Sequence, residues 1–567
     1  MIETLGNRVG KSTGSGVIDS TWLIGCETAS NRIPQHNGAY GMRRRSLLAA
    51  STAITASGLG RRTAAQRARP NVLRFVPAAD LANPDPVWTT AGGAATHGYM
   101  IWDNLFGIDD VLTARPQMLA AYEASPDELT WTFTLRDGLK FHDNEPVRAI
   151  DCTASIARWA IKNPLGQTLA ARTHEMKPLD DRRFYIHLKQ RFRQMTYAMG
   201  AGNLFIMPER MAKTPATEQI KDYIGSGPYV FKRDEWISGA RAAYEKFRDY
   251  SPRQEKPNYY AGGKVAHFDR VEWIIQSDAN TAAAALQANE VDWLEAPLLD
   301  MVPTFSRSPG CKVVNIDPFG SLAMIAFNHL YPPFDNPKLL QALLPAIDQQ
   351  DFVRAWVGDL SDYGRHPVGF FTAGTPMAND AGMDAITTPR DQATARQLIR
   401  EAGYRNEKIV FMVPHDLPEL VALSHVARDL LVRLGMNVDY QVMDWGTLVA
   451  RRAKPDPPDR GGWNLFCTTW QGLWVANPGN SFTLRANGRQ AWFGWPADPK
   501  IEALREEWLD APDLPTQKAI CEQIQRQAFE SIPFMPLGQW YYPRAVRSDL
   551  TDFVRCQDVL FWGVRRV

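Results

Sequence analysis

The chain has 567 residues, of which 45% are hydrophobic, and a formal net charge of +1. The near-neutral balance excludes the basic stripe a nucleic-acid binder needs, and the length suits a large globular protein of two or three lobes. The six cysteines are scattered with no CxxC, and the ten histidines include no HExxH, so no disulfide framework, structural zinc or zincin site is expected.

Residues 1–41 read as an upstream extension outside the folded body, with Met42 as a second candidate start. Two motif look-alikes fall there. Gly6–Ser12 is one residue short of a phosphate loop and has no preceding strand. Leu23–Cys26 resembles a lipoprotein box, but Asp19 interrupts the apolar run before it. Residues 42–65 have the three regions of a signal peptide: Arg43-Arg44-Arg45, a short apolar run from Leu47, and Thr63-Ala64-Ala65 as the cleavage site. Arg44-Arg45 followed by Leu47-Leu48 reads as a twin-arginine export signal. The run is too short to anchor permanently in a bilayer, so the mature chain is expected to be soluble.

After Asn71–Phe75, a first strand, the most informative stretch runs from Trp131 to Trp159. Trp131, Phe133 and Leu135 alternate with threonines as in a half-buried strand. Asp137-Gly138 turns the chain, Leu139–Phe141 resumes the strand, and Asp143–Pro146 turns it again. A helix carrying Ile156 and Trp159 follows, with Asp151 near its start. Further on, helices over Asp391–Ala402 and Leu420–Leu434, each ended by glycine, alternate with strands Lys408–Val413 and Asn437–Val442. Strand, helix and strand in this order give an α/β fold class.

The Leu135–Trp159 stretch resembles the signature of family 5 solute-binding proteins of bacterial ABC importers. Gly225–Phe231, Ala284–Asp292, and Ala326–Asp351 with Pro332-Pro333-Phe334 resemble further segments of that family, in the right order. The resemblance implies a two-lobed periplasmic binding protein fold with a hinge and an extra subdomain on lobe I. Lobe I would hold 70–320, lobe II 321–537, and 538–567 would return to lobe I. It further implies a periplasmic monomer that hands a small-molecule ligand to permease subunits in the inner membrane. No catalytic residue, metal or cofactor is expected.

Two loops of lobe II carry the expected ligand contacts. His415, Asp416 and Leu417 lie between a strand and a helix, where α/β folds place ligands. Dipeptide binders of the family have an arginine there, and this chain has Leu417. Trp470, Gln471, Gly472, Leu473 and Trp474 form the second loop, with Leu473 in place of the family's amine-binding aspartate. Without both charges a free dipeptide zwitterion should bind poorly. Shifting the alignment by one or two residues brings Asp416 or Glu419 into play for a cationic ligand. Tryptophans around Gln471 suit uncharged or amphipathic solutes such as sugars, opines or aromatic acids, with core packing the equal alternative. From lobe I, His97, Tyr99 and Trp102 are nominated for the cleft, and Asn328 either lines it or caps a turn. Competing functions are a peptide or opine binder with other anchors, a metal-chelate or haem carrier using His415 or His97, and a secreted hydrolase. The hydrolase lacks a GxSxG elbow, and Asp416, Glu419 and Asp444 show no pair spacing.

Overall fold

Two sheets organise the computed structural model, which describes residues 71–89 and 91–567. The leader and the two look-alike motifs lie outside the described residues. The strand Val72–Val76 is the parallel centre of the first sheet, between Arg270–Ile274 and Trp293–Leu294. That sheet has seven strands and runs Cys311–Val314, Arg544–Arg547, Trp293–Leu294, Val72–Val76, Arg270–Ile274, Arg241–Lys246, Tyr229–Phe231. The second sheet has six: Gly364–Arg365, Met535–Trp540, Ser321–Phe327, Leu465–Gln471, Lys408–Pro414, Asn437–Met443. Every residue of Ser321–Phe327 is buried, as both faces of a central strand in a covered sheet must be.

Lys408–Pro414 and Asn437–Met443 pair in parallel through the helix Pro418–Arg433. This is the crossover unit the alternation predicts, with the helix's Leu420, Leu423, Ala427, Leu430 and Leu431 turned inward. A third, antiparallel sheet (Leu119–Ala124, Thr130–Leu135, Arg183–Leu188, Thr173–Pro178) stands beside the first with the helices Ala149–Ala160 and Pro164–Arg172. This is the extra subdomain.

The signature stretch acts as scaffold. Asp151, fully buried, accepts from the Arg148 N–H at 2.8 Å and the Glu209 N–H at 2.7 Å, so it starts one helix and tethers another. Leu139–Phe141 departs from the expected strand: only a bridge between Lys140 and Pro146 forms. Two close turns leave too little extended backbone for a ladder, and His142 is drawn off to the Gly225–Gly227 loop. The Gly225 N–H donates to its Nδ1 at 3.2 Å, so Nε2 carries the proton and donates to the Gly227 carbonyl at 3.1 Å. Burial lowers the His142 pKa to about 4, in keeping with a neutral ring.

Those glycines let the loop press against the end of the helix Gly92–Ile101. A Cβ on Gly225 would lie 1.6 Å from the Ile101 carbonyl oxygen, and one on Gly227 2.7 Å from that of Met100. Gly225→Ala therefore must displace backbone and should lower stability by about 3 kcal/mol or more, read as a reduced midpoint in urea with an unchanged slope. An unchanged midpoint would show that the loop yields freely.

Candidate functional site

The lobes are joined by two crossings that lie against each other. One spans Val314 to Ser321, and the other, Tyr541–Pro543, links Met535–Trp540 in the second sheet to Arg544–Arg547 in the first. Gly320 sits at φ +58, and a Cβ there would lie 2.2 Å from the Trp540 carbonyl oxygen. Beside it, Asp317 Oδ1 accepts from the N–H groups of Phe319 and Gly320, both at 2.9 Å. The hinge is thus fastened by a left-handed glycine and a carboxylate-capped turn.

From the hinge a seam runs between the lobes. The Gly472 N–H donates to the Gly320 carbonyl at 2.7 Å, which ties the second nominated loop to the first crossing. The Leu473 N–H donates to Gln557 Oε1 at 3.1 Å, and Gln471 Nε2 reaches Asp558 Oδ1 at 3.5 Å. Farther out, Asn477 Nδ2 donates to the Tyr197 hydroxyl at 2.6 Å, and Arg172 pairs with Asp510 at 2.5 Å and Glu506 at 2.9 Å.

The rim on lobe I is made of exposed small residues, Ala78, Ala79, Ala91 and Gly92. A Cβ on Gly92 would stand 3.9 Å from Gln471 Nε2, which places this rim against lobe II. Glu295 lies beneath it, accepting from the Ala78 N–H at 2.7 Å. Lobe II contributes Gln471 and Thr469 from one face of their strand. Tyr542 is beside Thr469, and burial followed by the Glu419 charge pushes its hydroxyl pKa up. The Glu419 carboxyl is raised by burial, with Asp416 adding to it against a backbone hydrogen bond.

Two helices begin at this cleft, Gly92–Ile101 and Pro418–Arg433. Their N-caps, Ala91 and Leu417, make no side-chain cap bond. Elsewhere in lobe II, Asp348, Asp391, Asp444, Asp498 and Asp513 cap their helices with carboxylates. At the first of these starts the Gly92 and Gly93 N–H groups are left for water or a solute to satisfy, whereas the second opens on Pro418, which has no N–H.

The nominated residues divide into groups. Gln471, Gly472 and Leu473 are on the seam, Leu473 buried and Gln471 partly open. Trp470 projects from the opposite strand face to Gln471, stacking on Phe482 at 5.4 Å and meeting Trp492 edge-on. Trp474 joins the same cluster through Phe482 at 5.9 Å. His415 and Asp416 are exposed, Asp416 accepting from the Trp445 N–H at 2.9 Å. Asn328 is buried and internally bonded, donating to the Trp463 carbonyl and accepting from the Leu330 N–H. Trp102 is buried, its indole N–H donating to the Ile224 carbonyl. Tyr99 is buried and stacks on Tyr260 at 4.5 Å, while its hydroxyl donates to Asn203. His97 is fully buried with Nδ1 2.9 Å from the Tyr244 hydroxyl, and burial takes its pKa down to about 3.

Asp558, Tyr260, Glu295 and Arg544 were not nominated. Tyr260 and Asp558 are 298 residues apart, and no local pattern marks either one. The five described cysteines are all buried and free, and no cluster of three potential metal ligands occurs among the described residues. A separate groove of 1140 Å³ lies where Tyr259 and Val554 of lobe I approach Phe319 of the first crossing and Gly374 of lobe II, and none of the nominated residues lines it.

Comparison with known proteins agrees with this architecture. Residues 113–492 match the model of bacterial extracellular solute-binding proteins, family 5 Middle. The chain is 38% identical over 484 residues to a probable peptide ABC transporter periplasmic-binding protein, y4tO, of Sinorhizobium fredii, covering 85% of this chain and 91% of that protein. It is 24% identical to the glutathione-binding protein GsiB of Pectobacterium atrosepticum, covering 84% and 90%. Among solved structures, AgaA of A. tumefaciens R10 in complex with agropinic acid superposes with a TM-score of 0.72 at 20% identity, covering 88% of this chain and 99% of that one. DppA of Helicobacter pylori in complex with the peptide STSA gives 0.73 at 20%, covering 87% and 98%. The chain belongs to the family 5 extracellular solute-binding proteins, and its fold is the two-lobed periplasmic binding protein fold.

The geometry of His97 predicts that its imidazole stays neutral at pH 5, where an exposed histidine is largely protonated. Imidazole nitrogen chemical shifts across pH 4–7.5 check this. Titration of His97 near pH 6.5 would mean that the ring reaches water.

Proposed function

We propose that this chain is the periplasmic substrate-binding component of an ABC importer, exported through the twin-arginine pathway and working as a monomer. It captures a small solute in the cleft between the Ala78–Gly92 rim and the Glu419, Thr469, Gln471 and Tyr542 side chains. The observation that carries this reading is the paired hinge crossing beside a polar seam. Such a hinge lets the lobes close over a solute while each core stays intact, as two-lobed binding proteins do. Family membership and the names of the relatives, among them binders of peptides, glutathione and agropinic acid, support capture and delivery. Leu417 and Leu473 support a solute other than a simple dipeptide, because neither offers a charge to a terminal carboxylate or amine.

A thermal-shift screen followed by small-angle scattering tests the reading. A bound solute should raise the melting temperature by several degrees and reduce the radius of gyration. Binding without contraction, or contraction with no solute present at any concentration, would contradict it. The pairs of Arg172 with Asp510 and Glu506 cross the seam, whereas its bond to the Arg191 carbonyl stays within lobe I, so the cleaner probe is Asp510. Asp510→Asn should weaken solute affinity roughly 3–10-fold, about 1 kcal/mol, and leave the melting temperature of the free protein within about 2 °C. An equal loss in the free protein's stability would mean that the pairs belong to the fold and not to closure.

A further inference from the structure

Asp558 is a carboxylate that the protein buries and does not pair with a cation. It is 3% exposed, on the C-terminal segment that returns to lobe I. One oxygen accepts the Tyr260 hydroxyl at 2.5 Å. The other has only the Gln471 amide, at 3.5 Å across the seam, too long to satisfy it. Among the described residues it forms no ion pair.

Its surroundings deepen the deficit. Glu295 and Asp317 both act on it as like charges, and Tyr260, Tyr99 and Cys556 are packed around it. Burial first, then those two carboxylates, push its pKa up to about 6, against the hydrogen bonds from Tyr260 and Gln471. Two cations are held in this region, and neither forms an ion pair with Asp558. Arg544 donates to the Glu295 carbonyl at 2.6 Å, and its Nε has no partner. Lys264, which lies over the Tyr99 ring, is held by Asp103 at 2.7 Å and Asn104 at 3.0 Å. A buried carboxylate without a cation costs several kcal/mol, a cost relieved only by a proton or an incoming positive charge.

We propose that Asp558 is the charged anchor of the solute site, holding a protonated amine or guanidinium of a ligand that enters between Gln471 and the Ala91–Gly92 rim. This rests on the reading above and deepens it by assigning the chemical class of the solute. The cationic head meets Asp558 with Tyr260 behind it, and Gln471 turns its amide to the rest of the ligand. The uncapped N–H groups of Gly92 and Gly93 then suit hydrogen-bond acceptors one or two bonds from the cation. In this chain the positive charge is thus received by lobe I, since Leu473 of lobe II offers it no acid.

The test uses amino-acid amides, agmatine and dipeptide amides, each beside its N-acetylated counterpart where an amine is present. Binding is measured by calorimetry at pH 7.5, with scattering to follow closure. The expected result is that at least one cationic member binds, that acetylation abolishes its binding, and that Asp558→Asn weakens it at least tenfold. The free Asp558→Asn protein should melt at the same or a higher temperature at pH 8, since a buried charge has been removed, which separates loss of the anchor from loss of the fold. No response to any cation, binding confined to neutral members, or unchanged affinity in Asp558→Asn would overturn the assignment. Contraction around a neutral solute would do so while leaving the capture function standing.

Discussion

The structure depends on two chain crossings pinned side by side. Only Tyr541–Pro543 separates the last long strand of one sheet from a strand of the other, and the outward crossing is held against it by Gly320. Because both crossings are short, the lobes can pivot but cannot drift apart. Because the Asp317 carboxylate satisfies the backbone N–H groups of its own turn, the hinge keeps its polar groups bonded in a buried place. The seam residues inherit their positions from this arrangement: Gly472 bonds to Gly320, and that bond sets Gln471 and Leu473 opposite Gln557 and Asp558.

Electrostatics then separates scaffold from site. Two buried ion pairs serve the fold, Arg158 with Asp85 at 2.7 Å and Lys264 with Asp103, each buried on both sides. Their partners lie within lobe I, so they are indifferent to closure. At the seam the balance fails: Asp558 and Asp317 are buried near one arginine, and Glu419 and Glu295 are in the adjoining cleft. Buried acids without a cation thus stand where a solute would arrive.

Much of the scaffold was legible in the sequence because its causes are local. The alternation at Trp131–Leu135, the apolar stripe of Pro418–Arg433 and the glycines that end the helices each act within a few residues. The site was legible only in part. Gln471 was nominated for its amide and lies on the seam. Its neighbour Trp470 was nominated with it, yet strand alternation turns the two to opposite faces, and the Trp470 ring is taken up by Phe482 and Trp492. His97 and Tyr99 were drawn from a short helix whose nearly complete burial has no periodic signature. Asp558 carries no local signal, being one more acid in an Arg- and aromatic-rich tail. Its character arises from Tyr260, Glu295 and Asp317, all distant in sequence and brought together by the return of the chain to lobe I.

Hydrogen–deuterium exchange with and without a saturating solute reports most directly on whether the seam is where capture happens. The account predicts added protection at 78–93, 417–420, 469–474 and 556–558, with the central strands Val72–Val76 and Ser321–Phe327 unchanged. Protection confined to the groove around Tyr259 and Val554, with the seam exchanging as before, would contradict it.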